Sequence, residues 1–370
     1  MEIQTSPTKH QRSRAGGKRQ STSSPPAQVQ DSFVSGASSK LGGFYDQAKD
    51  MAKRALKGLA RPKLPLYKDG DGPYGAKIER LDFKDESRGR DIPLVVYSPE
   101  NKEGLEKSPV VVFSHGLAGN EYTYRYFGKH LASHGYTVLQ PTHVGSNTSS
   151  FIKTPGINIF SQNELVDRGK DVSFALDLLE HGKLPAEVSE KVDLENVALA
   201  GHSFGALTAQ AMAGVEVTDH DGNKVPINDD RFDAYIAMSP YGDSLPTHLL
   251  GMNPQTFEKI EKPLLTISGD HDRLFTGAEG PRVHRDTFNG ASSNHKYHLE
   301  IDKTLHASFA QVFGVIGTTA AMTNSTSLAF LDAHLQGSEK AHDYLVDELP
   351  RVARSRKSDA FIGPHRNGAV

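Results

Sequence analysis

Three residue types, in one order along the chain, can carry out nucleophilic chemistry on a carbonyl. Ser203 lies in Gly201-His202-Ser203-Phe204-Gly205, a G-x-S-x-G pentapeptide, and a carboxylate and then His306 follow it. In such a set the hydroxyl attacks and a histidine takes its proton. The carboxylate holds the imidazole in the correct tautomer and stabilises its imidazolium form. The pentapeptide acquires meaning from its flanks. Val197 to Ala200 is an apolar run of strand length, and Ala206 to Ala213 continues as a helix rich in small residues. Strand, pentapeptide and helix in that order describe a nucleophile elbow. The residues two before and two after the serine must approach closely, so they must lack bulk, and both are glycine. The strained turn exposes the hydroxyl and aims the Phe204 N–H at the reacting carbonyl. The new helix starts there, and its N-terminus favours developing negative charge.

A second oxyanion donor must come from a neighbouring loop. Pro109 to Ser114 is a continuous apolar run of the kind found in central parallel strands, and it ends in His115-Gly116-Leu117-Ala118-Gly119. Gly116 lets the backbone come close, which makes the Leu117 N–H the expected partner of the Phe204 N–H. The strand Pro263 to Ser268 runs into Gly269-Asp270-His271-Asp272, which offers two carboxylates past a strand end. Asp272 is the first choice for the acid, Asp270 the fallback, and Asp243, past the preceding strand, a third. Of 17 histidines, His306 is the first to follow the last strand, Lys296 to Ile301, and it comes after both serine and acid.

The remaining elements alternate in a way that builds a layered sheet. Ala76 to Phe83 and Ile92 to Ser98 read as antiparallel strands across the turn-rich segment Lys84 to Asp91. Tyr124 to Ser133 is expected as a helix, Tyr136 to Gln140 as a strand, and Pro141 to Ile159 as a long loop. Gln162 to Leu179 is an amphipathic helix with Leu165, Val172, Ala175, Leu176 and Leu179 on one face. Glu216 to Arg231 is polar, and Asp219-His220-Asp221-Gly222-Asn223 within it has a slight calcium-loop look. Position six of a calcium loop requires glycine and is here Lys224, so a hairpin turn is expected. Phe232 to Met238 is another strand. Thr318 to Leu335 closes the fold as a helix, and Val352 to Val370 reads as a frayed tail.

Composition sets outer limits. The chain has 370 residues and a net charge of −3, with no cysteine. Disulfides, thiolate catalysis and Cys-ligated zinc or iron–sulfur centres are therefore excluded, and the triad chemistry calls for no metal or organic cofactor. No basic core suited to nucleic acid is present, and no apolar run approaches the roughly 20 residues that span a bilayer. The N-terminal stretch lacks the apolar block of a Sec signal peptide. The expected compartment is the cytoplasm, or an exported location reached by a non-Sec route through the N-terminal tail.

Residues 1–30 carry five Lys or Arg against the single Glu2, and positions 1 to about 40 hold few large apolar side chains. That composition cannot offset the entropy of ordering, so disorder is expected. Leu41, Phe44, Ala48, Met51, Ala52, Ala55 and Leu59 recur at helical spacing opposite Lys49, Lys53, Arg54 and Lys57. A basic amphipathic helix of this kind either rests on a membrane surface or packs on its own domain. Its mostly alanine stripe buries little area, so self-docking is the favoured outcome. Arg61-Pro62-Lys63-Leu64-Pro65 ends it as a linker. The expected layout is 1–65 as tail, helix and linker, 66–345 as the catalytic domain, and 346–370 as a C-terminal tail. The sequence leaves the oligomeric state open.

These motifs resemble the α/β-hydrolases, in which the order Ser, Asp, His is characteristic. From about Gly72 to Leu345 the chain is similar to the branch containing predicted dienelactone hydrolases, platelet-activating-factor-acetylhydrolase-like esterases and cutinase-like polyester hydrolases. Asp71-Gly72-Pro73-Tyr74-Gly75, then Ser87-Arg88-Gly89-Arg90 with Val96-Tyr97, match that branch's entry. Ser114 to Gly119 and Leu131 to Tyr136 match its oxyanion strand and following helix, and Gly201 to Gly205 matches its elbow. The resemblance implies a mostly parallel sheet of about eight strands flanked by helices. It maps the acid to Asp272 and not Asp270, and the histidine to His306. Dienelactone hydrolases proper use a cysteine nucleophile and the polyester hydrolases stack substrate on tryptophan; this chain has neither residue. The implied activity is serine carboxylic-ester hydrolysis on small or lipid-like esters, with acyl transfer, polyester hydrolysis or a catalytically silent binding fold as alternatives.

Overall fold

Long β-branched and apolar runs with little alternation belong in the middle of a sheet covered on both faces, and the structure places them there. The computed structural model describes residues 64–120, 122–153, 161–219, 221–273, 281–311 and 317–363. The helix expected over 41–59 lies outside the described residues. Among these, nine strands form one sheet: β1 (Lys77–Asp85), β2 (Arg90–Ser98), β3 (Ser108–Ser114), β4 (Thr137–Pro141), β5 (Val192–His202), β6 (Ala234–Met238), β7 (Leu264–Gly269), β8 (Lys296–Ile301) and β9 (Asp359–Ile362). Their order is β1-β2-β4-β3-β5-β6-β7-β8-β9. The run from β4 to β8 is parallel, while β1, β2 and β9 pair antiparallel. This is an α/β-hydrolase fold.

Alternate side chains of the central strands enter two separate cores. Val111 and Phe113 of β3 join the core covered by α1 (Arg125–Ser133) and α4 (Gly317–Leu335). Val110 and Val112 join the opposite core, covered by α2 (Gln162–Glu180) and α3 (Phe204–Met212). Helix α2 begins at Ser161, whose side chain accepts from the Glu164 N–H; a cap of this kind contributes about 1 kcal/mol. Among the described residues no helix is long and apolar enough to cross a membrane.

Three expectations need correction. The sheet has a ninth strand, and it comes from the segment read as a frayed tail. Leu349–Ser355 is a helix that buries Leu349, Val352 and Ala353. Asp359–Ile362 then pairs with β8, Tyr297 opposite Ile362 and Glu300 opposite Asp359. Four half-exposed residues carry no strand signature of their own; the unpaired backbone edge of β8 supplies it. The loop expected over 141–159 contains a short helix, Thr148–Lys153. Strand β5 starts before its apolar run, because Val192 and Asp193 continue the pairing with Ser108 and Pro109 past a register shift.

Candidate active site

The elbow sits where β5 hands over to α3. Ser203 has φ 56° and ψ −116°, a backbone state that costs of order 1–3 kcal/mol and persists only when its surroundings enforce it. Its N–H donates to Met238 O at 2.9 Å and its carbonyl accepts from Leu207 N at 3.0 Å. The flanking glycines are required by space. A Cβ on Gly201 would lie 2.2 Å from Gly205 O, and one on Gly205 would lie 1.9 Å from Ser114 O. Helix α3 therefore starts hard against the end of β3, which brings the loop after β3 beside the elbow.

Ser203, His306 and Asp272 form one hydrogen-bonded chain. Ser203 Oγ lies 2.8 Å from His306 Nε2, and His306 Nδ1 lies 2.8 Å from Asp272 Oδ1. The other carboxylate oxygen accepts from Ser239 Oγ at 2.5 Å. Asp272 is fully buried. Burial alone would push its carboxyl up, but the charges of His284 and His306 and the hydrogen bond from His306 hold it well below the usual range. The two other acids point elsewhere: Asp270 pairs with His271 at 2.7 Å, and Asp243 with His248 at 2.7 Å. The Tyr241 hydroxyl, also buried, lies 3.4 Å from Ser203 Oγ.

Leu117 and Phe204 stand on adjacent strand ends, since Ser114 of β3 is paired with Gly201 of β5. Tyr124 ties the two loops together. Its hydroxyl accepts from Gly116 N–H at 3.2 Å and lies 2.7 Å from His202 Nδ1. A Cβ on Gly116 would sit 3.0 Å from that hydroxyl, so a side chain there would press the Tyr124 hydroxyl out of place by a few tenths of an ångström. Ala118, at φ 59°, donates its N–H to Ser146 O at 2.9 Å, so the loop is held at both sides. Burial keeps His202 well below the ordinary imidazole range, so it is a neutral acceptor for the tyrosine.

A buried polar network beneath this loop escaped the sequence reading. Arg168 of α2 has no exposed surface. Its guanidinium donates to His115 O and to Ser146 Oγ, the latter at 2.7 Å, and lies 4.4 Å over the Phe204 ring. It thus touches both the β3 loop and the residue after Ser203. Beside it, Ser114 Oγ lies 2.9 Å from His143 Nε2, and His143 Nδ1 lies 3.0 Å from Asp171 Oδ2. Asp171 is in turn held by Arg90 and Arg88, each at 2.9 Å. The signal was present: Arg168 and Asp171 fall on the same helical stripe as Leu165 and Val172, where a charge is costly unless paired. Arg168→Lys keeps the charge but loses the planar fork. We expect kcat/KM for ester hydrolysis to fall by about tenfold to a hundredfold, the scale of a small misplacement at the reacting centre, with a lower Tm. Steady-state kinetics and a thermal melt check this, and an unchanged kcat/KM would contradict it.

Comparison with known proteins places the chain in a family. Residues 66–268, more than half of the chain, match the chlorophyllase family. The chain belongs to that family. The match to the chlorophyllase family includes Leu117, Arg168, Ser203 and Phe204 and ends before Asp272 and His306. Curated relatives agree in kind. The chain is 26% identical over 277 residues to a platelet-activating factor acetylhydrolase of Canis lupus familiaris, covering 62% of this chain and 58% of that protein. It is 25% identical over 285 residues to the protein of that name from Bos taurus, covering 64% and 59%. It is 25% identical over 228 residues to a chlorophyllase type 0 of Chenopodium album, covering 60% of each. The chain thus spans about three-fifths of the length of the curated relatives it matches.

Proposed function

We propose that the protein is a serine carboxylic-ester hydrolase, a reading carried by the continuous Ser203–His306–Asp272 hydrogen-bond chain on a strained elbow. His306 Nε2 takes the Ser203 proton as Oγ adds to the ester carbonyl. Asp272, kept ionised by its neighbours, holds His306 Nδ1–H and stabilises the imidazolium that forms. The Leu117 and Phe204 N–H groups receive the oxyanion; one such donor is worth about 2.7–4 kcal/mol in the transition state. His306 then returns the proton to the departing alcohol. Water, deprotonated by the same imidazole, cleaves the acyl-serine. No step needs a metal or organic cofactor.

The substrate class follows from the relatives' names, which are those of an acetylhydrolase and a chlorophyllase. A small or lipid-like ester with a short acyl group is the first to test. A fluorophosphonate probe is expected to label the protein at Ser203, located by peptide mass spectrometry. Turnover of p-nitrophenyl esters should be highest at short acyl length. Labelling elsewhere, or none, would overturn the reading.

A further inference from the structure

Asp272 lies between two imidazoles, and only one of them reaches the serine. The second is His284, in the short turn Pro281–Arg285, with no exposed surface. Its Nδ1 faces Pro240 O at 2.5 Å, and its Nε2 faces Asp272 Oδ1 at 3.3 Å. Both neighbours are acceptors. A neutral imidazole has one N–H, so either tautomer would set a lone pair against an oxygen in a buried site. With Nδ1–H given to Pro240 O, the charge on Asp272 favours a second proton on Nε2, which turns that opposition into an ion pair at 3.3 Å.

We propose that His284 is a positioning residue of the active site, a buried imidazolium that fixes the Asp272 carboxylate and balances its charge. The proposal rests on the Ser203–His306–Asp272 reading. Burial alone would push His284 down, yet the Asp272 charge beside it and the hydrogen bond to Pro240 O outweigh it and hold the ring above its ordinary value. The groups around it do not supply that charge instead. His202 and His298 are both kept neutral by burial, His298 at about 3. Asp286, two residues on, is pushed up by burial and accepts from Asp243 N–H at 3.1 Å. Arg285 is engaged with Glu300 at 2.8 Å.

The consequence for the reaction is a matter of sign. With His284 charged, Asp272 and His284 together are neutral, and protonating His306 leaves a net positive cluster. A further proton on the triad is therefore opposed more strongly than beside a lone carboxylate. His284→Gln removes the cation and should move the acidic limb of kcat/KM against pH upward by about one unit, the usual scale for a nearby charge. A merely structural role would lower the rate at every pH without moving the limb.

The test uses the full chain with p-nitrophenyl acetate and with 15N-histidine labelling. At pH 8 the parent should show an imidazolium signal, with both nitrogens protonated, that is absent from His284→Gln. An acidic limb that does not move, or a parent spectrum with no imidazolium at pH 8, would overturn the proposal. The second readout needs no variant and survives any failure of His284→Gln to fold. If Ser203→Ala kept its activity, the reading beneath the proposal would fall and the proposal with it. If Ser203 is required and the limb is unmoved, only the role of His284 falls.

Discussion

Replacing Ser203 with alanine is expected to lower kcat for ester hydrolysis by about six orders of magnitude, the scale seen when a triad nucleophile is removed. The fold should remain. The hydroxyl's close contacts are His306 Nε2 at 2.8 Å and Tyr241 at 3.4 Å, so its removal leaves no buried charge unpaired. Alanine carries the same Cβ as serine and inherits the same strained φ, so the elbow gains and loses nothing by the exchange. Initial rates with p-nitrophenyl acetate, read beside far-UV circular dichroism, decide it. A folded variant turning over at near-parental rate would remove Ser203 from the mechanism.

Asp272→Asn should lower kcat by about four orders of magnitude through the wrong histidine tautomer. It should also lower Tm. The carboxylate is fully buried and receives contacts from His306, Ser239 and His284. An amide can match at most some of these. Asp270→Asn should be mild by comparison, because Asp270 is paired with its neighbour His271 and stands clear of His306. The two variants, compared for kcat and Tm in one assay, make the contrast measurable. If Asp270→Asn were the more damaging, the assignment of the acid would be reversed.

What the sequence made legible was set by short-range geometry. Gly201 and Gly205 had to lack side chains because the turn itself brings their neighbourhoods together, and the pentapeptide states this within five residues. The buried strands were equally plain, since β3 and β6 are apolar on both faces. The choice between Asp270 and Asp272 was harder. Asp270 still donates its N–H to Ile301 O, as a strand residue would, and only the turn closed by Asp272 N–H to Gly269 O sends the later side chain inward. That turn has no distinctive composition. Arg168 and Asp171 were hidden in a stripe read only for its apolar members. His284 and β9 were not legible, because each takes its role from a distant partner: Asp272 and Pro240 for the histidine, the β8 edge for the strand. Of the layout expected for residues 1–65, only positions 64 and 65 fall among the described residues.

The buried histidines also set how the protein meets acid. Burial holds His115, His143 and His202 well below the ordinary imidazole range, with His130 at about 4 and His298 at about 3. In the unfolded chain the same rings bind protons near their unperturbed value of about 6.5. Below that pH the unfolded state takes up protons that the native state refuses, so each such ring withdraws stability at up to about 1.4 kcal/mol per pH unit until its own folded value is reached. Several of these rings are the parts that hold the β3 loop and the elbow: His115 within the loop, His143 bonded to Ser114, His202 bonded to Tyr124. The groups that hold the β3 loop and the elbow in place are thus also those that make the native state intolerant of acid, and an acidic compartment would oppose this protein's fold from within the proposed active site.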